Sequence, residues 1–472
     1  MTEPRTRLVP ALVYAALSTA VVSSLGMLLV PTISREMDVS VATAQWMLTI
    51  NLLVGAITTP VMGRLGDGPH KKRLLLWALS IILIGSIVAA VAPNFTVFLI
   101  GRALQGLTYG IVAVTITLAR RYVPADKVRF SISSLSVTVS TGLGIGYPLT
   151  GIIAELFDFR FAFWFAALFV VTAMIVVFRT VPAGPDEQAS RARFDYAGAG
   201  LLGLGLGALL LGVSEGPNWG WSSPWLIATF VFATAVVAAW IRAELRAPHP
   251  LINLRVLRNG DVLLANSTGM GLGAAMYIGI SISSLVAQAP VSTGYGIALP
   301  VFWAGFVMLP LSMGSFTANR LVRRLSRRIG LPTLLPIGAG LVLAAGMLLW
   351  FAHAELWEIL LGMLVIGLGM GTSNAAMPAL IARSVAIEEL GSSVSFNQVL
   401  RTVGCSFGTA VSGAVLAANI APDLHPTDAG IIATLAISAV LCAAVFLSLL
   451  IHTLTTNSRR PVTDSLTDAR VG

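Results

Sequence analysis

The chain has little charge. Asp, Glu, Lys and Arg make up 11% of its 472 residues, whereas 56% of the residues are hydrophobic. About a quarter of the residues in an ordinary soluble domain are charged, so this composition excludes a large soluble domain. Apolar runs of about 20 residues recur along the whole length, and each is long enough to cross a bilayer as a helix. We therefore expect an all-α, multi-pass protein of the cell membrane.

Cysteine and lysine are also scarce. The two cysteines, Cys405 and Cys442, both fall inside apolar runs, which excludes a disulfide framework and a zinc-binding spacing, so we expect no metal and no cofactor. Only three of the 30 basic residues are lysine, which favours a G+C-rich bacterial genome.

The net charge of +9 could suggest a protein that binds nucleic acid. However, the basic residues lie in short loops, where membrane topology accounts for them, and we expect no nucleic-acid partner.

The apolar runs predict fourteen spans. These cover residues 8–30, 45–63, 73–92, 96–119, 130–154, 160–180, 195–213, 223–241, 262–288, 297–319, 331–352, 356–382, 394–419 and 428–452. The expected parts are a cytoplasmic N-terminus (1–7), a six-helix half (8–181), an inserted helix pair with linkers (182–260), a second six-helix half (261–453) and a cytoplasmic tail (454–472). One pattern of helix end, charged loop and small-residue helix occurs twice in the chain, from Gly110 to Gly151 and from Gly371 to Gly413. Such parallel halves are typical of secondary transporters.

The basic residues predict the orientation. With the N-terminus inside, 26 of the 30 Lys and Arg residues fall in inner segments, and only Arg35 and Arg160 fall in outer loops. This asymmetry satisfies the positive-inside rule, so both termini are expected in the cytoplasm. The remaining two, Arg102 and Arg401, lie within spans.

Acidic residues are missing from the middle of every predicted span. A proton-coupled carrier normally needs a titratable group in its cavity. Glu155, at the outer end of the fifth span, is the nearest candidate for proton coupling, and an ordinary rim charge is the other reading. A cavity that holds Arg102 and Arg401 without an acid favours a neutral or anionic amphiphile over a bulky cation.

Glycine is concentrated in the stretch Gly142-Leu-Gly-Ile-Gly-Tyr-Pro-Leu-Thr-Gly151. In a helix interior glycine costs about 1 kcal/mol relative to alanine, and proline about 3 kcal/mol, but membrane helices tolerate both. Gly142 and Gly146 form a pair that lets another helix approach closely. Gly151 lies near the opposite face, and Pro148 favours a kink. Close helix packing alone and a bend in a moving transporter helix are both open readings.

Two further motifs carry charge. The loop Gly63-Arg-Leu-Gly-Asp-Gly-Pro-His-Lys-Lys-Arg73 follows the second span, and its Asp67 is placed to cap the next helix or to pair with a cation. The fourth span contains Arg102-Ala-Leu-Gln105-Gly106. A charged arginine inside a span costs about 3 kcal/mol or more and suggests function, although a structural hydrogen bond to backbone carbonyls is the alternative.

These motifs resemble those of the major facilitator superfamily. Gly63, Asp67, Lys71 and Lys72 fit its signature loop, whereas Gly68 and His70 depart from it. The resemblance implies a gating role for the loop, which also includes Arg73. Arg102 is similar to the arginine of the family's Arg-x-x-Gln-Gly motif, which implies proton transfer or substrate contact.

The glycine-rich stretch resembles the family's antiporter motif. Gly142, Gly146 and Gly151 match, and Pro148 stands one residue after the family's proline, which favours export. The fourteen spans are similar to those of the drug:proton antiporters of the family, although the first span lacks their usual aspartate. The resemblance implies a monomeric carrier, not an enzyme, that exports drugs or amphiphilic small molecules by alternating access against protons.

Several alternatives stay open. The missing carboxylate motivates an uncoupled or otherwise coupled carrier of a neutral or anionic amphiphile, and a non-transporting membrane sensor is a further hypothesis. A membrane enzyme would need paired acids or a metal set, which the sequence lacks. The basic stretch Arg320 to Arg328 is read as a topogenic loop or as a contact for anionic membrane lipids.

Polar and aromatic residues in the spans are candidates for the cavity wall. Each is about as suited to bonding a neighbouring helix as to touching a substrate. They are Asn51, Gln105, Tyr109, Tyr147, Tyr277, Trp303, Asn374, Asn397 and Gln398.

Arg401→Gln tests the charge argument. If this arginine attracts the substrate, the variant should transport an anionic compound more weakly and a neutral compound at the wild-type rate, because only the anion loses a charge partner. Uptake into proteoliposomes measures both, and equal loss of the two activities would contradict the argument.

Overall fold

The computed structural model of the chain describes residues 8–66, 68–182, 195–248, 250–325, 331–384, 390–421 and 425–458. Nearly all of these residues are helical, which confirms the all-α class. The α-helices are α1 (Leu8–Ser24), α2 (Val30–Glu36), α3 (Val41–Ala44), α4 (Trp46–Gly66), α5 (Lys71–Val91), α6 (Phe95–Gln105), α7 (Thr108–Tyr122), α8 (Ala125–Leu156), α9 (Phe159–Thr180), α10 (Tyr196–Trp219), α11 (Pro224–Arg246), α12 (Gly260–Gln288), α13 (Val301–Val307), α14 (Leu309–Leu325), α15 (Leu331–Phe351), α16 (Leu356–Ser384), α17 (Leu390–Ala417) and α18 (Asp428–Ser458).

The helices have the length and surface of membrane spans. Within the described residues, thirteen helical segments are long and apolar enough to cross a membrane. The fifth predicted span lies in α8, which is 32 residues long. Large apolar side chains are exposed on the outside of the bundle, such as Trp77, Leu168 and Phe351. Since lipid tails are apolar, such a surface is stable in a bilayer and unstable in water.

Glycines of α8 and α17 create the same packing in both parts of the chain. A Cβ at Gly142 would lie 2.8 Å from the Cβ of Ala20, so α8 lies directly against α1. Gly408 meets the backbone of Ala274 in the same way, so α17 lies against α12. Small residues let helix backbones approach closely in a membrane, and this contact is the structural counterpart of the sequence repeat.

The opposite face of α8 packs on α13. A Cβ at Gly151 would lie 2.7 Å from the carbonyl oxygen of Val301 and 3.0 Å from that of Phe302. The glycine-rich stretch therefore serves two interfaces, one within residues 8–182 and one with residues 250–458. Helix α8 runs through Pro148 without interruption. The interruptions lie elsewhere, between α1 and α2, between α6 and α7, and between α13 and α14.

Residues 8–182 and residues 250–458 are joined by hydrogen bonds. Most of these bonds lie near the span ends that the charge pattern predicts to face outward, and the innermost bond joins two tyrosines. The bonds are Gln288 Nε2 to the Leu28 carbonyl (3.1 Å), Gln45 Nε2 to Ser281 Oγ (2.6 Å), Thr49 Oγ1 with Thr409 Oγ1 (3.0 Å), Ser406 Oγ to the Thr49 carbonyl (3.2 Å) and the hydroxyls of Tyr109 and Tyr277 (3.4 Å). The bundle is therefore closed at this end.

Helices α10 and α11 are longer than the sequence predicts. They continue to Trp219 and Arg246, beyond the predicted ends at residues 213 and 241, and so include Glu215 and Glu244. Hydropathy misses these turns because the carboxylates are polar, yet both carboxylates accept a hydrogen bond from a tryptophan side chain. Trp46 Nε1 lies 3.3 Å from Glu215 Oε1, and Trp240 Nε1 lies 3.1 Å from Glu244 Oε1.

Gly151→Ala should destabilise the closed arrangement, because its Cβ would meet rigid backbone on α13 rather than a movable side chain. We expect a loss of about 1–3 kcal/mol from overpacking, seen as a lower unfolding temperature in detergent. Gly200→Ala on α10 is the matched control, since a Cβ at that position would have no other described atom within 4 Å. An unchanged unfolding temperature in the Gly151 variant would contradict this contact.

Candidate functional site

Arg102 is the centre of the candidate site. Its side chain is fully buried (0% exposed) at the end of α6. Nη1 donates to Gln105 Oε1 at 2.6 Å, and Nε donates to the Met47 carbonyl at 3.4 Å. Nη2 has no hydrogen-bond partner among the described residues. A buried guanidinium thus keeps one unused group of N–H donors.

Neighbouring side chains fix the position of this arginine. Gln105 Nε2 donates to Ser86 Oγ at 2.9 Å, so its Oε1 is held toward Arg102. Asn51 Nδ2 donates to the Arg102 carbonyl at 2.9 Å, which satisfies an acceptor where α6 ends. The Phe163 ring lies 5.9 Å from the guanidinium carbon, a distance at which an aromatic face attracts a cation. The guanidinium is therefore oriented before any ligand arrives.

A glycine at the break between α1 and α2 leaves room for the guanidinium. A Cβ on Gly26 would lie 2.8 Å from Arg102 Cζ. Any larger residue at this position would displace the arginine. The interruption of the first span, which the sequence did not predict, therefore lies beside the guanidinium.

A cavity of about 270 Å³, open solvent at its mouth included, lies beside Arg102. Both parts of the bundle contribute to it. Its lining residues are Ser23, Ser24, Met27, Leu48, Asn51, Leu52, Arg102, Tyr109, Tyr147 and Tyr277. None of these described residues is acidic. The wall therefore offers a guanidinium, an amide and hydroxyl groups next to aromatic rings, which suits an amphiphile with a hydrogen-bond acceptor.

Five of the predicted residues meet at this cavity: Asn51, Arg102, Tyr109, Tyr147 and Tyr277. Gln105 lies behind Arg102 and positions it, without lining the cavity.

The other predicted cavity residues lie elsewhere. Arg401 Nη1 donates to Asn374 Oδ1 at 2.6 Å. Asn397 bonds the Ala265 carbonyl and Asn266, so it ties α17 to α12. Gln398 is exposed, and Trp303 is 57% exposed beside Phe302 and Phe306. The sequence did not reveal which side of each helix faces inward, because these membrane helices are apolar around most of their circumference.

Glu155 is exposed at the C-terminal end of α8 and is not among the residues that line the cavity. Its role in proton coupling stays a prediction, as does the alternative that it is an ordinary rim charge.

The predicted gating loop is anchored through its lysines. Lys71 Nζ donates to the Gly68 carbonyl at 2.9 Å, and Lys72 Nζ donates to the Phe178 carbonyl at 2.7 Å in the last turn of α9. A cation is favourable at a helix C-terminus. Arg73 is exposed, and Gly63 is partly buried on α4. Asp67 lies outside the described residues.

Sequence reasoning missed Ser23, Ser24 and Met27 in the cavity wall, and Ser86 behind it. Small hydroxyl residues are common inside membrane helices, where they bond their own backbone. Ser23 and Ser24 do so, with acceptors three residues earlier. No local pattern separates such residues from those that face a cavity.

A bundle of membrane helices in two parts, with a cavity between them, is the architecture typical of secondary transporters. The sequence model of the Major Facilitator Superfamily matches residues 11–409. The chain therefore belongs to this superfamily.

Named relatives point the same way. A Mycobacterium tuberculosis (strain H37Rv) protein named as an uncharacterized MFS-type transporter is 26% identical over 412 residues, which cover 86% of this chain and 58% of that protein. The chain thus spans less than two thirds of that relative. Multidrug resistance protein Stp of the same organism is 28% identical over 402 residues, which cover 84% of this chain and 73% of Stp.

The fold also resembles a solved transporter. A crystal structure of a peptide transporter, POT, in complex with sulfate superposes with a TM-score of 0.70 and 13% sequence identity. The similarity covers 95% of this chain and 94% of that one. At this identity the likeness confirms the fold alone.

Gln105→Leu should destabilise the protein, because it leaves the Arg102 Nη1 donors without their partner in a buried place. Hydrogen bonds to charged groups contribute about 1.5–3 kcal/mol, and we expect a loss of that size in thermal unfolding. Thr108→Val is the control: its buried hydroxyl has no partner among the described residues, so its removal should cost little. Equal stability of the two variants would refute the positioning role of Gln105.

Proposed function

We propose that the chain is a fourteen-span exporter of drugs or other amphiphilic small molecules, which works by alternating access. The observation that carries the proposal is the buried guanidinium of Arg102, which lines a cavity with no acid among its described residues and whose Nη2 has no hydrogen-bond partner among them. Leaving a buried donor unpaired costs about 1–3 kcal/mol. A substrate that accepts from Nη2 removes this cost, so the favoured substrates are neutral acceptors and anions.

The closed outer end is one state of the alternating-access cycle that we propose, and export itself rests on the resemblance of Gly142 to Gly151 to the family's antiporter motif. The two parts of the bundle are joined at this end by hydrogen bonds. Alternating access then requires these bonds to break as the parts rock against each other. The names of two relatives also support drugs as substrates: multidrug resistance protein Stp at 28% identity and multidrug transporter protein MdtP at 24% identity.

Proton antiport is the energy source we propose from the family resemblance. The absence of a carboxylate from the described cavity wall favours a second candidate, an uncoupled or otherwise coupled carrier. In proteoliposomes with a pH-sensitive dye inside, substrate-dependent proton flux would support antiport. Substrate movement without proton flux would support the second candidate and exclude the first.

Arg102→Gln tests the charge preference of the cavity. We expect transport of an anionic amphiphile to fall at least about tenfold, equivalent to 1.4 kcal/mol, and transport of a neutral analogue of similar size to fall less. The reason is that glutamine still donates a hydrogen bond but carries no charge. Uptake into proteoliposomes measures both rates.

Arg35→Gln, which removes an exposed arginine at the outer end, is the matched control and should leave both rates unchanged. Arg401→Gln should act less than Arg102→Gln, since Arg401 does not line the cavity and bonds Asn374. An equal fall for the anionic and the neutral compound in Arg102→Gln would rule out an electrostatic preference.

A further inference from the structure

A second polar pocket, separate from the Arg102 cavity, lies at the outer end of the bundle where α4, α10 and α17 meet. We propose that it is a binding site for a protonated primary amine. Its volume is about 410 Å³, open solvent included. It is lined by Ser40, Thr43, Gln45, Trp46, Thr49, Ser214, Glu215, Asn218, Thr409, Gly413, Ala417 and Ile420.

Glu215 gives the pocket its charge. It is the only ionisable residue among the described residues that line the pocket, and it comes from the inserted helix α10. Trp46 Nε1 approaches Oε1 at 3.3 Å, and Asn218 Nδ2 donates to Oε2 at 2.9 Å. These donors fix the carboxylate in place, but both are neutral. Its negative charge therefore has no cation within the pocket.

Gln45 supplies an independent observation. Its side chain is 2% exposed, and its Oε1 has no hydrogen-bond partner among the described residues. Its Nε2 donates to Ser281 Oγ at 2.6 Å on α12, which fixes the orientation of the amide. A buried acceptor without a donor costs about 1–3 kcal/mol, so the pocket favours a ligand that brings N–H groups.

The chemistry of these groups selects the ligand. A carboxylate and an unpaired amide oxygen both need donors, and the hydroxyls of Ser40, Thr43 and Thr49 accept as well as donate. An –NH₃⁺ group offers three donors and a positive charge, whereas a quaternary ammonium group has no N–H. The indole of Trp46 also lines the pocket, and aromatic faces attract cations. Anions are disfavoured by Glu215.

The pocket depends on the closed state. Thr49 on α4 and Thr409 on α17 lie on its wall and are 3.0 Å apart through their Oγ1 atoms. When α4 and α17 separate at this end, Gln45, Glu215 and Thr409 no longer surround one space. A bound amine therefore stabilises the outward-closed state, since a ligand favours the state that it binds better.

The test is isothermal titration calorimetry on the purified full chain in detergent. The probes are phenethylamine, its N,N,N-trimethyl analogue and 2-phenylethanol, which share one ring and differ in the polar group. We expect saturable binding of phenethylamine only. Glu215→Gln should weaken this binding at least about tenfold, and Gln45→Leu should weaken it several-fold.

Two controls locate the site. Glu36→Gln removes an exposed carboxylate at the same end of the bundle and should leave binding unchanged. The transport assay of Arg102→Gln tests the central cavity separately, so failure of this site is distinguishable from failure of that cavity. Thermal unfolding shows which variants are folded, and Glu215→Ala, which also removes the carboxylate, replaces Glu215→Gln if the latter is not.

Three results would overturn the proposal. The first is no saturable heat with phenethylamine. The second is equal affinity for the trimethyl analogue or the alcohol, because neither carries the –NH₃⁺ group. The third is unchanged affinity in folded variants of both Glu215 and Gln45.

Discussion

The burial of the Arg102 guanidinium is the interaction on which the central part of this structure depends. A charge removed from water inside a membrane needs hydrogen bonds and space. Gln105 and the Met47 carbonyl provide bonds, Ser86 orients Gln105, and the absence of a side chain at Gly26 provides the space. The break in the first span lies beside the guanidinium, and Arg102 itself belongs to the short helix α6, which ends at Gln105. Its Nη2 has no hydrogen-bond partner among the described residues.

Close packing around glycine determines how the two parts of the bundle meet. In a membrane the hydrophobic effect does not drive helices together, so contacts between backbones have a larger role. Helix α8 uses Gly142 against α1 and Gly151 against α13, and it is therefore in contact with both parts at once. A helix in this position couples packing within one part to closure against the other. Both readings of the glycine-rich stretch, packing and movement, are compatible with this placement.

The charges of the chain are separated in space. The central cavity has an arginine and no acid among its described residues, whereas the outer pocket has a glutamate and no base. Helix α10 supplies that glutamate. Because it packs against α4 and α17, it changes the chemistry of the surface where these two helices meet. Opposite charges at the two sites favour ligands of opposite charge.

The sequence by itself determined the class of protein and the approximate spans, and it made Arg102 a candidate, because hydropathy and an intramembrane charge are local signals. It also identified Asn51, Tyr109, Tyr147 and Tyr277, which line the cavity. It placed Trp303, Asn397 and Gln398 there as well, although they face other surroundings. Only the tertiary structure shows which of these residues line the cavity. The helices are apolar on nearly every face, so their sequences do not reveal which face packs inward. The same reason applies to Gln45 and Glu215: their pocket exists only where three helices distant in sequence come together.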